Sequence, residues 1–422
     1  MQQKKKKIHF AWWVLLGLAI MMGVARGGIN NAASLFLTPV SEDLGVGMGQ
    51  LTLYLSVSSI AMMVFLPFAG KIMGKYDIRI VLIVSILLQG GAFALFGMMN
   101  SVWGWYLLAI PLSVGSVLVT QLAGPVLINQ WFKKRNGLAL GIMMAASGLF
   151  GAIIQPNVGT LIASQGWRAS YIIVGVAAIV IVIPVVLLFI RMSPLQKGLL
   201  PYGLEKAEAN DSKQNTQTVE HKGVTAAVAK KSLAFYALLF FLFLITAVAS
   251  FAQFIAPYAQ SIGYDVQFAG NVMGVFMFGV LVGSLVFGFL TDKMGAKKTT
   301  FFSMFVGLIS VFLLIFLPDN PVVFSVAIGL FGFVSSSVGT LGPLLTTSIF
   351  GTKEYGAIYG TAALGLALAG ITALPAYGFV FDATGSYLYV LYAVAAMILL
   401  SVLLIIIAFK GKETLEKAGH WN

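Results

Sequence analysis

Long apolar runs alternate with short polar breaks along the whole chain. Twelve runs fall near 11–39, 48–70, 79–99, 103–130, 137–163, 169–190, 233–260, 267–290, 299–317, 322–349, 356–381 and 387–409. Each has roughly the 20 mainly apolar residues that a helix needs to cross a bilayer. The pattern predicts an all-α membrane protein with twelve transmembrane helices. The lysines Lys4–Lys7 before the first run have the look of a signal-peptide start, but that run is too long for a signal core of about 7–15 residues. It reads as a first span.

One break is unlike the others. Residues 192–231 include EKAEANDSKQNTQTVEHKG, which has no apolar periodicity and reads as a flexible linker. It divides the chain into an N-terminal half (1–191) and a C-terminal half (232–422), each with six runs. An offset of 218 sets Pro39 on Pro257, Gly45 on Gly263, Gly70 on Gly288, GPVL at 124–127 on GPLL at 342–345, and Phe132 on Phe350. Past the 132–136 loop an offset of 219 sets Gly137, Gly141, Gly151, Pro156, Gly159 and Gly166 on Gly356, Gly360, Gly370, Pro375, Gly378 and Gly385. Glycines could coincide by composition, but there are only 13 prolines, so the proline matches indicate duplicated halves.

Composition agrees with this reading and narrows it. Residues are 59% hydrophobic and 9% charged, where a soluble domain carries about a quarter charged. The net charge of +12 does not signal nucleic acid, because of where the cations fall. With the amino terminus inside, Arg168 is the single cation in an outside loop and Arg26 the single one within a span; the other 24 of the 26 lie in inside loops or tails. This is the positive-inside pattern, and it puts both termini in the cytoplasm of a plasma-membrane protein. There is no cysteine, hence no thiol chemistry. The three histidines, His9, His221 and His420, are unclustered, and no phosphate-binding loop occurs. No enzyme, cofactor or metal site is expected.

The stretch GFLTDKMGAKK at 288–298 resembles the loop motif of the major facilitator superfamily between its eighth and ninth helices. Its first-half counterpart, GKIMGKYDIR at 70–79, has Gly74 where the acid belongs. The resemblance implies two pseudo-symmetric six-helix halves with a substrate site near mid-membrane between them. It also implies a gating latch in which the loop acid meets a helix amino terminus of the opposite half, where a carboxylate is favourable. Asp292 fits that role, and Asp77 is the nearest acid in the first half. WFKKRNGLALG at 131–141, FGTKEYGAIYG at 350–360 and GFVFDATGSY at 378–387 resemble the monocarboxylate and oxalate/formate branch of the superfamily. The charges that branch carries in its eighth and eleventh spans are missing here.

Arg26 is the expected centre of the site. A charge at mid-bilayer costs roughly 2.5–3.5 kcal/mol on insertion scales, and no Asp, Glu or His lies within any span to neutralise it. It is also about 20 Å along the helix from Ala11, too deep to reach the surface. Backbone carbonyls, cavity water or a substrate anion remain, and guanidinium suits a carboxylate through two parallel hydrogen bonds. In the duplication Arg26 meets Leu244 and Asn30 meets Val248, as expected of a site rather than a scaffold. Asn30 shares the Arg26 face. Gln121, Gln155, Gln253 and Ser336 are neutral candidates for substrate contact, and Tyr54 and Tyr258 for closing the outer end. For each neutral candidate an ordinary interhelical hydrogen bond is an equal reading, and for the two tyrosines the alternative is the common placement of aromatics near the membrane interface. The sequence therefore points to a monomeric secondary transporter of a small organic anion, with the lipid bilayer as its other partner. An exporter of lipophilic, neutral or cationic compounds is the alternative.

Overall fold

A computed structural model describes residues 9–203, 223–419 and 421. Lys4–Lys7, His221, His420 and residues 204–222 of the segment read as a flexible linker lie outside the described residues. Among the described residues ten helices are long and apolar enough to cross a membrane. We number the rods in chain order: α1 Phe10–Leu44, α2 Met48–Lys75, α3 Ile78–Phe96 and α4 Val102–Trp131. The 54-residue run Asn136–Phe189 leaves helical geometry at Gly166 (φ 77°, ψ 166°) and so makes two rods, α5 (136–165) and α6 (167–189). Next come α7 Leu233–Ser261 and the run Val266–Phe316, divided at Gly295 (φ 78°, ψ 161°) into α8 (266–294) and α9 (296–316). The segments Pro321–Ser335 and Val338–Phe350 form one broken rod, α10. The last two are α11 Tyr355–Thr384 and α12 Leu388–Lys417.

The sequence repeat has a backbone counterpart. Gly45 and Gly263, one repeat apart, both turn the chain at positive φ (62° and 99°), as do Gly166 and Gly385 (77° and 68°). Glycine reaches that region without the Cβ penalty. The ends of equivalent rods are therefore made by the same device in both halves.

Four equivalent rods are interrupted near their middles. α1 is π-helical over Gly23–Asn30 and α4 over Val117–Leu122. α7 tightens to a 3₁₀ turn over Phe251–Phe254, and α10 breaks between Ser335 and Val338. The sequence predicts an unbroken tenth span over 322–349. Such interruptions gather at functional sites in helical membrane proteins.

The rods meet at one end and part at the other. At the face remote from the first and last helix ends, here the distal face, a Cβ built on Gly49 of α2 would lie 2.4 Å from Phe379 of α11. One built on Gly159 of α5 would lie 2.9 Å from Gly270 of α8. Only glycine permits these approaches. Toward the terminal face Gly70 and Gly74 of α2, Gly137 and Gly141 of α5, and Gly356 and Gly360 of α11 have nothing within 4 Å of such a Cβ. The molecule is closed distally and open at the terminal face.

Stubs of the connecting segment are fastened at equivalent loops. Tyr202 donates its N–H to the Trp131 carbonyl at 2.7 Å, and Val224 donates to the Phe350 carbonyl at 2.9 Å. Each meets the loop that follows the fourth rod of one half.

Candidate functional site

A cavity of ≈ 280 Å³ lies between the rods, with Asn30 from α1, Tyr54 and Ser58 from α2, Phe93 and Phe96 from α3, Ser116 from α4, Gln253 from α7 and Leu374 from α11 in its walls. Both sequence halves contribute. Its size is near the lower end for small-molecule pockets, and its walls are mainly apolar with a narrow polar edge.

That edge is a hydrogen-bonded chain. Asn30 Nδ2 donates to Ser116 Oγ at 3.0 Å, and Gln89 Nε2 donates to Asn30 Oδ1 at 3.0 Å. Gln89 also donates to the Ala25 carbonyl at 3.3 Å. Asn30 is thereby fixed from two sides by α3 and α4, while remaining in the cavity wall.

Arg26 stands four residues before Asn30 on α1, about 6 Å toward the terminal face by helix rise. Its side chain is exposed although Ala25, Gly27, Gly28 and Ile29 around it are buried. Arg26 is not itself in the cavity wall; Asn30 and Ala33, one and two turns further along α1, are. Among the described residues its guanidinium has neither a hydrogen bond nor an ion pair.

The other sequence candidates separate. Tyr54 and Gln253 line the cavity, and Gln253 Oε1 is buried without a hydrogen-bond partner among the described residues. Gln121 is exposed within the π-helical part of α4. Gln155 is fully buried; its Nε2 donates to the Gly27 carbonyl at 2.8 Å, so it faces α1 rather than the cavity. Tyr258 is likewise spent on the scaffold, its hydroxyl donating to the Leu314 carbonyl at 2.6 Å. Ser336 sits at the break in α10, where its hydroxyl donates to the Phe333 carbonyl at 2.7 Å.

The two gating candidates differ as well. Asp77 caps its own helix, accepting from Arg79 N at 2.8 Å, and pairs with Arg79 Nη2 at 3.0 Å. Those Arg79 hydrogen bonds, through the side chain first, hold the Asp77 carboxyl below the usual carboxylate range. Asp292 is exposed and has no partner among the described residues. Several acids at the rod ends have partners. Asp43 pairs with Arg168 at 3.0 Å, Glu354 Oε2 accepts Ala226 N at 2.9 Å, and Asp265 caps α8 through Phe268 N at 2.7 Å. Asp382, at the distal end of α11, accepts Met48 N and Gly49 N, each at 2.7 Å.

Sequence reasoning passes over Gln89 and Ser116. The duplication carries the signal that finds them: Gln89 meets Gly307 and Ser116 meets Val334, the same one-sided polarity that marks Arg26.

The family model of the Major Facilitator Superfamily matches residues 15–270 and 238–420. The chain belongs to this superfamily: it is a multi-pass membrane transporter and not an enzyme. It is 24% identical over 409 residues to monocarboxylate transporter 12 of Xenopus laevis, covering 92% of this chain and 87% of that one. It is also 24% identical over 360 residues to the oxalate:formate antiporter of Oxalobacter formigenes, covering 82% and 80%. In fold it is similar to a bacterial homolog of the human lysosomal transporter Spinster, crystallised inward-facing and unoccupied, with a TM-score of 0.69, 14% identity and 99% of each chain covered.

Proposed function

We propose that this protein is a secondary active transporter of a small organic anion, with a monocarboxylate fitting best, and that Arg26 is the counter-ion. The observation that carries this reading is an exposed guanidinium in the middle of a membrane-crossing rod with no partner among the described residues. A buried-depth charge left unpaired is costly; an anion that arrives from water supplies the missing partner. One cation, four residues from Asn30 in the cavity wall, matches one carboxylate, and the apolar walls at Phe93, Phe96 and Leu374 suit a short organic tail. The names of the two curated relatives support anion transport as a class.

The cycle we propose is alternating access, with the six-helix halves rocking about the Arg26 level. The open terminal face corresponds to the cytoplasmic side of the plasma membrane, since the lysines and arginines concentrate there. One chain holds a complete cavity, which supports a monomer as the working unit.

Thermal unfolding of the purified protein with formate, acetate, lactate, pyruvate, oxalate and benzoate tests the reading. A ligand at 100 times its Kd adds about 2.7 kcal/mol of stability, a shift easily resolved. Stabilisation by at least one carboxylate, absent in Arg26→Ala, is expected. No carboxylate effect, with stabilisation by a lipophilic amine instead, would replace the proposal with the exporter alternative.

A further inference from the structure

Arg26 projects from a stretch of α1 that is π-helical, with Asn31 N–H bonded to the Arg26 carbonyl. Widening a helix in this way is unfavourable unless neighbouring groups support the backbone. The carbonyls on either side of Arg26 receive such support. Gln89 of α3 donates to the Ala25 carbonyl, and Gln155 of α5 donates to the Gly27 carbonyl. Carbonyl oxygens only accept, so the Nε2 end of each amide must be the one that faces α1.

Both glutamines are fully buried, and in both Oε1 is left without a partner. A buried orphan acceptor is unfavourable, so these amides are a poor choice for stability alone. The second half shows what the scaffold itself requires. There Gln89 is replaced by Gly307 and Gln155 by Leu374, while Arg26 and Asn30 become Leu244 and Val248. The second-half counterparts of Asn30, Gln89 and Ser116 line a small apolar void, at Val248, Gly307 and Val334, and α7 has no π turn at that level. Without the arginine, neither amide nor π turn is kept.

We propose that Gln89 and Gln155 are positioning residues that hold the π turn of α1 and thereby set the direction of the Arg26 guanidinium toward the cavity. Losing the turn changes the helix register by one residue, which swings the side chain by about 100° and turns it against α3 or α5. The inference rests on the anion-site reading only for its consequence in transport; the placement of Arg26 is measurable without a substrate.

Phenylglyoxal modifies guanidinium groups, and its rate at Arg26 can be followed by peptide mass spectrometry on the purified full chain. Arg168, paired with Asp43 on the distal face, serves as internal reference. In Gln89→Leu and Gln155→Leu the rate at Arg26 should fall at least fivefold relative to Arg168. Ser303→Ala, which removes an equally buried polar pair with Ser337 at 2.9 Å in the other half, should leave it unchanged. Should a leucine variant fail to fold, Gln155→Asn keeps the amide but is one methylene short of the Gly27 carbonyl, and the same slowing is expected. In transport, the KM for the stabilising carboxylate should rise about tenfold in the glutamine variants with kcat within twofold of the parent. Unchanged labelling in the glutamine variants, or equal slowing in Ser303→Ala, would overturn the proposal. Transport that survives Arg26→Ala would instead remove the anion-site reading and leave the labelling result standing.

Discussion

The carboxylate of Asp382 accepts the backbone N–H of Gly49 at 2.7 Å, clasping the end of α11 to the start of α2. Its second oxygen accepts Met48 N at the same distance, so one acid satisfies two of the free donors at a helix amino terminus, where negative charge is favoured. At the opposite face Asp292 has no such partner among the described residues. Closure in this conformation is thus held distally and released at the terminal face.

Asp382→Asn keeps a single acceptor and no charge. A charge-assisted clasp of this kind is worth about 1–2 kcal/mol, so the distal end should open about 5- to 30-fold more often. The chain has no cysteine, which lets Ser56→Cys report this directly: Ser56 is buried between α2 and α11, donating to the Ile371 carbonyl at 2.6 Å. Faster reaction with a membrane-impermeant maleimide in the Asp382→Asn background is the expected outcome. An unaltered rate would show that Gly49–Phe379 and Gly159–Gly270 contacts alone keep this end shut.

Asp292 and Asp77 should behave differently. Asp77 is occupied by Arg79 within its own helix, so Asp77→Asn weakens a local cap and little else. Because the Arg79 hydrogen bond lowers the Asp77 pKa, the cap persists above the ordinary carboxylate range and fades only as pH falls through the lowered value. Its exposure keeps the effect on stability small. Asp292 is exposed and has no partner among the described residues, so a latch formed on closure of the terminal face would draw on it rather than on Asp77. Asp292→Asn should therefore shift the ratio of inward- to outward-facing molecules severalfold, measured by maleimide labelling from each side, and Asp77→Asn less than twofold. Equal shifts would argue against a one-sided latch.

Arg26→Ala should reduce anion exchange by at least 100-fold while thermal unfolding and expression are maintained, because the scaffold already tolerates leucine at the equivalent position, Leu244. Arg26→Lys keeps the charge but loses the planar fork, and should retain a small fraction of the activity. Initial rates in reconstituted vesicles decide it. Parental rates in the alanine variant would mean that another group neutralises the substrate.

Much of this architecture is legible in the sequence, for a physical reason. Spanning a bilayer demands about 20 apolar residues whatever the packing partners, so the rods can be found one at a time. Duplication supplies an internal control: Arg26 opposite Leu244 marks polarity kept in one half alone, and the same test picks out Gln89 opposite Gly307. Side-chain direction is less legible. Gln155 and Gln253 look alike as amides in predicted spans, yet one braces the Gly27 carbonyl and the other lines the cavity. The π turns of α1 and α4 are least legible, because a π register differs from an α register by one residue and is settled by neighbours such as Gln89 that are remote in sequence. The break in α10 at Ser336 lies inside an uninterrupted apolar run for the same reason.

The coupling mode follows from what surrounds Arg26. Proton-driven transporters rely on a titratable Asp, Glu or His that each side reaches in turn, and no such residue lies within the twelve apolar runs, only at the rod ends. Arginine cannot replace it, since its pKa stays above about 12. An empty carrier would have to reorient with the guanidinium unpaired, whereas a loaded one reorients with the charge neutralised. Exchange of anion for anion should therefore be faster than net movement, and any proton that crosses should travel on the substrate as its acid. Preloading vesicles with unlabelled carboxylate should accelerate labelled uptake at least fivefold. An imposed pH gradient should add little once the substrate's own protonation is taken into account. Asp382 is the acid best placed to defeat this expectation, because it sits on the distal clasp and is exposed. Strong pH-driven accumulation that disappears in Asp382→Asn would make the clasp itself the proton-coupling group and rule out pure exchange.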